Sequence, residues 1–223
     1  MKRRIFLAGI ASAAIFSGFA LKFLYGKSQM LALQHFVDSY PPGANVQRAG
    51  NELLARYSKL VPPSLLQLWE NVGFGSYADG LISLINPDDY NELLYGWLML
   101  DEEDPTRIPF AISAFGRLFY YRRLTDKDED VCVIDPHTSS GDVLTWSLDD
   151  FFNSYLCDTE SANGALQVTL FRNAVTRHGP LQERQIFAWT PALRLGGSES
   201  VEHLTKVNAL VHLDILLQLA LGD

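Results

Sequence analysis

Four short apolar runs, at residues 108–114, 118–122, 131–135 and 143–146, follow one another with only loop- and turn-sized connections between them. Each has strand length and is rich in β-branched and aromatic residues. A charged loop at 126–130 and the turn Pro136-His137-Thr138-Ser139-Ser140-Gly141 join the later runs, and the pattern predicts a small antiparallel meander. The remainder of the chain has to pack around that sheet.

Helical periodicity flanks it on both sides. Residues 31–40 and 52–60 carry apolar side chains at helical spacing, separated by Pro41-Pro42-Gly43, and a third helix is predicted from Pro62-Pro63 through Leu65, Leu66, Leu68 and Trp69. Gly73-Phe74-Gly75-Ser76-Tyr77 then breaks the pattern, and 81–85 reads as a short buried strand. Asn86-Pro87-Asp88-Asp89 has an Asx cap, proline at the first helical position and two acids in the first turn, so a helix is expected over 90–100. After the meander, the capping box Ser147-Leu148-Asp149-Asp150 opens a helix toward Leu156, and further helices are expected over 165–176 and 200–221. The fold class predicted is α+β: one mixed domain with N-terminal helices, a small antiparallel sheet and C-terminal helices, behind an apolar N-terminal segment. Neither an internal repeat nor a low-complexity linker divides it.

That segment, residues 1–29, holds five basic residues (Lys2, Arg3, Arg4, Lys22 and Lys27) and no acidic one. Residues 5–21 carry no charge, a length marginal for a bilayer span, so membrane contact through 5–25 as an inner-membrane anchor is one reading. An export signal is the second, since Arg3-Arg4-Ile5-Phe6-Leu7 resembles a twin-arginine motif and Gly18-Phe19-Ala20 offers a cleavage site. A translation start at Met30 is the third.

From Met30 onward, 13 basic residues face 26 acidic ones, a formal charge of −13. Such a body repels phosphate backbones, which disfavours direct nucleic-acid binding, and attracts a positively charged partner. Cys132 and Cys157 are the only cysteines and do not form a metal motif; two buried free thiols are expected, with a disulfide open only to an exported body. No nucleotide-binding or hydrolase signature is present, and Gly73 and Gly75 read as a sharp turn. His35, His137, His178, His203 and His212 lie far apart without ligand spacing. His137, with Asp135 or Asp142 nearby and Ser139 or Ser140 in the same turn, is the one arrangement from which a hydrolase could be built. No catalytic residue, metal or cofactor is assigned.

Several ordered motifs carry a family resemblance. Pro62-x-x-Leu65-Leu66-x-x-Trp69-x-x-x-Gly73-Phe74-Gly75-x-Tyr77-x-x-Gly80-Leu81-Ile82, then Asn86-Pro87-Asp88-Asp89-Tyr90 and Trp97, then Ile108-Pro109-Phe110 and Ala114-Phe115-Gly116, resemble the GAD-like (GAD-related) domain. Pro191-Ala192-Leu193-x-Leu195-Gly196-Gly197, Val201-Glu202-x-Leu204-x-Lys206-Val207 and His212-Leu213-x-Ile215-Leu216 resemble the C-terminal domain of type VI secretion immunity proteins of the Tdi1 type. The implied organisation is a GAD-like region over 30–150 and a Tdi1-type region over 151–223, packed as one domain. Arg117 departs from the pattern, standing where the resemblance implies an acidic or small polar residue.

The resemblance implies a non-enzymatic protein with a cytoplasmic body, encoded beside a secreted toxin, typically a DNase, that it neutralises by tight binding. A nuclease presents a basic surface to DNA, so the acidic residues Asp101, Glu102, Glu103, Asp104, Asp126, Asp128, Glu129 and Asp130 are the candidate rim contacts. The alternative is a regulatory scaffold of the SMI1/KNR4 type, to which the Pro-x-x-Leu-Leu-x-x-Trp start has a distant similarity.

Overall fold

A computed structural model describes residues 31–222; the N-terminal segment, with its anchor, export and start-site readings, lies outside the described residues. Three short helices come first: α1 (Gln34–Ser39), α2 (Asn51–Tyr57) and α3 (Pro63–Asn71). Strands β1 (Gly75–Tyr77) and β2 (Ile82–Leu84) follow, then helix α4 (Pro87–Trp97). The start of α4 is as the sequence dictates, with the Asn86 side chain accepting from the Asp88 N–H at 3.2 Å.

The meander follows as β3 (Arg107–Ser113), β4 (Leu118–Arg123), β5 (Glu129–Asp135) and β6 (Ser140–Thr145). With β1 and β2 it forms one antiparallel sheet of six strands in sequence order. Strand β1 was not expected: the Gly73–Tyr77 stretch that breaks helical periodicity pairs with β2 through Gly75↔Leu84 and Tyr77↔Ile82. Gly73 has φ +120°, and a Cβ there would sit 2.5 Å from the Gln47 carbonyl oxygen, so only glycine lets the two backbones approach this closely.

Alternation along the strands sends side chains to both faces, and both faces are covered. One face carries Ile82, Phe110, Phe119, Tyr121 and Val131 into a core with Phe36, Leu65, Trp69, Phe151 and Phe152. The opposite face carries Ile112, Leu118, Tyr120, Cys132 and Ile134 against Leu94 of α4 and Leu213 and Leu217 of the C-terminal helix. The architecture is α+β, a single domain in three layers.

The C-terminal third corrects two expectations. Ser147 caps α5 (Leu148–Asp150), which runs into a π-turn over Phe151–Tyr155. The helix expected over 165–176 is two helices, α6 (Thr159–Leu166) and α7 (Val168–His178), broken at Gln167 with φ +55°. The helix expected over 200–221 begins only at Ala209. Residues before it form β8 (Leu204–Asn208), which pairs with β7 (Gln185–Trp189), and α8 (Ala209–Leu221) starts where the Asn208 side chain accepts from the Val211 N–H at 3.2 Å. Cross-strand pairing overrides local helical spacing there, a non-local effect that periodicity does not register. The two-stranded sheet joins the domain where the Phe187 N–H donates to the Ala114 carbonyl at 2.8 Å.

Cys132 is buried and Cys157 only half-buried, both as free thiols. Among the described residues no helix is long and apolar enough to cross a membrane.

Candidate functional site: an acidic end of the sheet

The meander decides which loops meet. Strand β3 begins at Arg107, β4 ends at Arg123, β5 begins at Glu129 and β6 ends at Thr145, and the register pairs Arg107↔Arg122, Arg122↔Asp130 and Val131↔Thr145. All four termini therefore lie at one end of the sheet. The loop preceding β3 and the β4–β5 hairpin, tied together by the Arg123 N–H donating to the Thr106 carbonyl at 2.9 Å, bring the two acidic runs of the sequence to the same place.

The eight acids predicted as contacts divide by environment. Asp130 is fully buried and takes two hydrogen bonds from Arg122, 3.0 Å from Nε and 2.5 Å from Nη2. Glu129 accepts from the Leu148 N–H at 2.9 Å and from the Tyr121 hydroxyl at 3.1 Å, anchoring α5 to the sheet. Asp104 accepts from Thr106 through its N–H (2.9 Å) and hydroxyl (2.6 Å) and pairs with Arg107 at 2.6 Å. Burial alone would raise the Asp104 carboxyl, but those Thr106 bonds and the Arg107 charge outweigh it and hold it below its ordinary value. These three carboxylates are engaged inside the fold.

Asp101, Glu102, Glu103, Asp126 and Asp128 are exposed. Asp128 also organises its own hairpin, accepting from the Thr125 hydroxyl at 2.8 Å, with the Leu124 N–H donating to its carbonyl. Asp149 and Asp150, exposed in the first turn of α5, join the same end through the Glu129–Leu148 bond.

Sequence reasoning missed the apolar part of this surface. Trp146, the residue that follows β6, is 72% exposed, Met99 after α4 is 80% exposed, and Leu124 in the hairpin is 44% exposed. Large apolar side chains standing out among carboxylates are what an interface uses as anchors within a polar rim. A tryptophan directly before a capping box was the available signal.

The opposite end holds His137. It is buried; its Nε2–H donates to the Phe115 carbonyl at 2.8 Å, and its ring meets Trp189 edge-on at 4.7 Å and lies 6.3 Å from His212. Burial pulls His137 below the usual histidine range, against the Phe115 carbonyl and the Asp135 charge. Asp135 meets His137 at the backbone N–H (3.0 Å), and its other oxygen pairs with Arg117 at 2.8 Å. Asp142 accepts from the Val143 N–H, Ser139 is bonded to Arg194, and Ser140 to Thr138. The Nδ1 of His137 is buried without a hydrogen-bond partner among the described residues, and Ser139 and Ser140 are bonded to Arg194 and Thr138, so these contacts pair neither serine with the imidazole. Arg117 has a structural role: besides Asp135, its guanidinium donates to the Gly164 and Ala165 carbonyls of α6. Among the described residues no group of three histidines, cysteines or carboxylates is placed to hold a metal ion.

Comparison with known families gives two matches. The model of the GAD-like domain matches residues 31–134, and that of the T6SS immunity protein Tdi1, C-terminal, matches residues 146–220. Among solved structures, the crystal structure of Atu4351 from Agrobacterium tumefaciens superposes with a TM-score of 0.64 at 20% identity, over 83% of this chain and 88% of that one. At that identity the likeness is one of fold. No curated protein matches the chain.

Proposed function

We propose, from the matches of residues 31–134 to the GAD-like domain and of residues 146–220 to the C-terminal domain of the T6SS immunity protein Tdi1, that the chain neutralises a cognate toxin by covering the toxin's basic working surface with the acidic end of its six-stranded sheet. The toxin proposed is a nuclease, most simply a DNase, which has to offer positive charge to a phosphate backbone. Its inhibitor then works in the cytoplasm, by binding and not by turnover.

The observation that carries this reading is the convergence of Asp101, Glu102, Glu103, Asp126 and Asp128 on one end of the sheet, beside exposed Trp146, Met99 and Leu124. The carboxylates accelerate encounter with a cationic surface and set orientation. Charge alone would yield to physiological salt within a Debye length of about 8 Å, so residence has to come from desolvated aromatic and aliphatic anchors.

Co-expression of the full chain with the product of the neighbouring toxin gene tests it. Host survival together with a complex that co-purifies is expected. Survival without a complex, or a complex unchanged after the five exposed acids are converted to amides and Trp146 to alanine, would reject this face as the docking surface.

A further inference from the structure

Among the described residues, strand β6 is the side of the large sheet left open. The opposite edge strand, β1, is closed by bridges from the N-terminal region, Pro42↔Tyr77 and Gln47↔Phe74, whereas β6 pairs only with β5. Natural edges are commonly guarded by lysine, proline or a covering element. Ser140-Gly141-Asp142-Val143-Leu144-Thr145 contains neither lysine nor proline, and Ser140, Gly141 and Asp142 are exposed. A register shift opposite Val131 and Cys132 displaces Leu144, so the regular stretch on offer is Ser140 to Val143.

Hollows flank this edge on both faces of the sheet. One, of about 510 Å³, lies on the α4 and α8 side, lined by Trp97, Met99, Val143 and Leu217. The other, of about 430 Å³, lies on the opposite side, lined by Val133, Leu144 and Tyr155. Their walls share Ser140, Gly141 and Asp142. Side chains of a strand laid along β6 would alternate between the two hollows, which is the geometry by which a sheet edge reads an extended segment.

We propose that an extended, lysine- or arginine-containing segment of the toxin adds to β6 as a seventh strand; the proposal rests on the immunity reading and names the contact by which it acts. Charge chooses the occupant. Asp142 stands on the open edge, and β6 runs directly into Trp146 and the acids Asp149 and Asp150, so a basic residue gains opposite Asp142 and at the Thr145 end, whereas Arg122 and Arg194 in the wall of one hollow and Arg117 in that of the other leave the hollows to its apolar side chains. A second copy of this chain, pairing antiparallel through the same residues, would bring like carboxylates together and add two strongly acidic bodies to each other, which is unfavourable. The added strand would also extend the acidic docking face without interruption, since β6 ends where that face begins.

The test uses the full chain, the inactivated product of the neighbouring toxin gene, and amide hydrogen exchange. In the free chain the outward amides of residues 140–143 should exchange quickly, the Val143 N–H being held only by the exposed Asp142 carboxylate beside it at 2.8 Å; in the complex they should slow by about tenfold or more, as expected for new ladder hydrogen bonds. Asp142→Pro and Val143→Pro form the second arm. Neighbouring residues direct their N–H groups to opposite sides, so one of the two removes an outward donor and should weaken the complex by about tenfold while leaving the unfolding midpoint close to wild type. A full-strength complex in which residues 140–143 exchange as fast as in the free chain would overturn strand addition and leave the immunity reading intact. Slowed exchange that depends on the concentration of the chain alone would assign the edge to a second copy and equally overturn it. Absence of any complex would overturn the immunity reading, and strand addition with it.

Discussion

Arg122 of β4 grips Asp130 of β5 through Nε and Nη2, with the carboxylate wholly out of water and the guanidinium partly in it. The pair stands directly beneath the acidic surface, and it separates acids that hold the fold from acids that face solvent. Asp130→Ala leaves Arg122 without its planar partner and is expected to cost about 2–3 kcal/mol, measured by urea unfolding. The same substitution at exposed Asp126 should stay within about 0.5 kcal/mol.

Converting Asp101, Glu102, Glu103, Asp126 and Asp128 to their amides should slow association with the toxin about tenfold at low salt, with little change in dissociation. Stopped-flow mixing across a salt series reads this directly: the wild type should lose association rate steeply with added salt, and the neutralised variant should not.

Trp146→Ala should act on the other rate. An aromatic side chain this exposed contributes little to the free fold, so the unfolding midpoint should barely move, whereas dissociation of the complex should accelerate about 30-fold, near 2 kcal/mol. Calorimetric titration beside thermal unfolding distinguishes the two.

Two glycines should respond with opposite signs. Gly73→Ala forces a Cβ into the Gln47 backbone at a φ of +120°, and should destabilise by about 2 kcal/mol or more. Gly164 lies in α6 with nothing within 4 Å of where a Cβ would stand, so Gly164→Ala should stabilise by up to about 1 kcal/mol through helix propensity.

His137 and His212 should make stability fall with acid. Burial lowers both, and for His212 the neighbouring His137 lowers it further, so each is neutral in the folded state and takes up a proton more readily once unfolded. Their contribution is complete above the unfolded value near 6.5 and declines as pH drops below it, because the unfolded state then binds more protons. Urea unfolding between about pH 7 and pH 5 should show that decline, and His212→Leu should make it shallower.

Much of this architecture could be read locally. Asn86-Pro87 and Ser147 announced their helices because capping is a contact between residues two or three apart. The four runs of the meander announced themselves by composition. What escaped were features made by distant partners: β1, which exists through β2 and the Gln47 bridge, and β8, whose residues Leu204 to Asn208 take strand geometry from β7. The candidate site was half legible. The acidic runs were visible, and the meander already implied that the loop before β3 shares an end with the β4–β5 hairpin. Which acids were internal was not, since the burial of Asp130 depends on Arg122 across the register and that of Glu129 on a helix nineteen residues away.

The contacts of Arg117 with Gly164 and Ala165 have a bearing on how such a protein can change over generations. Together with the Tyr40 hydroxyl on the Leu156 carbonyl and the Asn153 amide on the Ala32 carbonyl, they stitch the region matched by one family model to the region matched by the other. A gene that exchanged one half for a homologue's would inherit mismatched halves of a common core. New toxin specificities are therefore expected to arise by point changes on the acidic end and along β6, with the two halves travelling through descent as one indivisible unit.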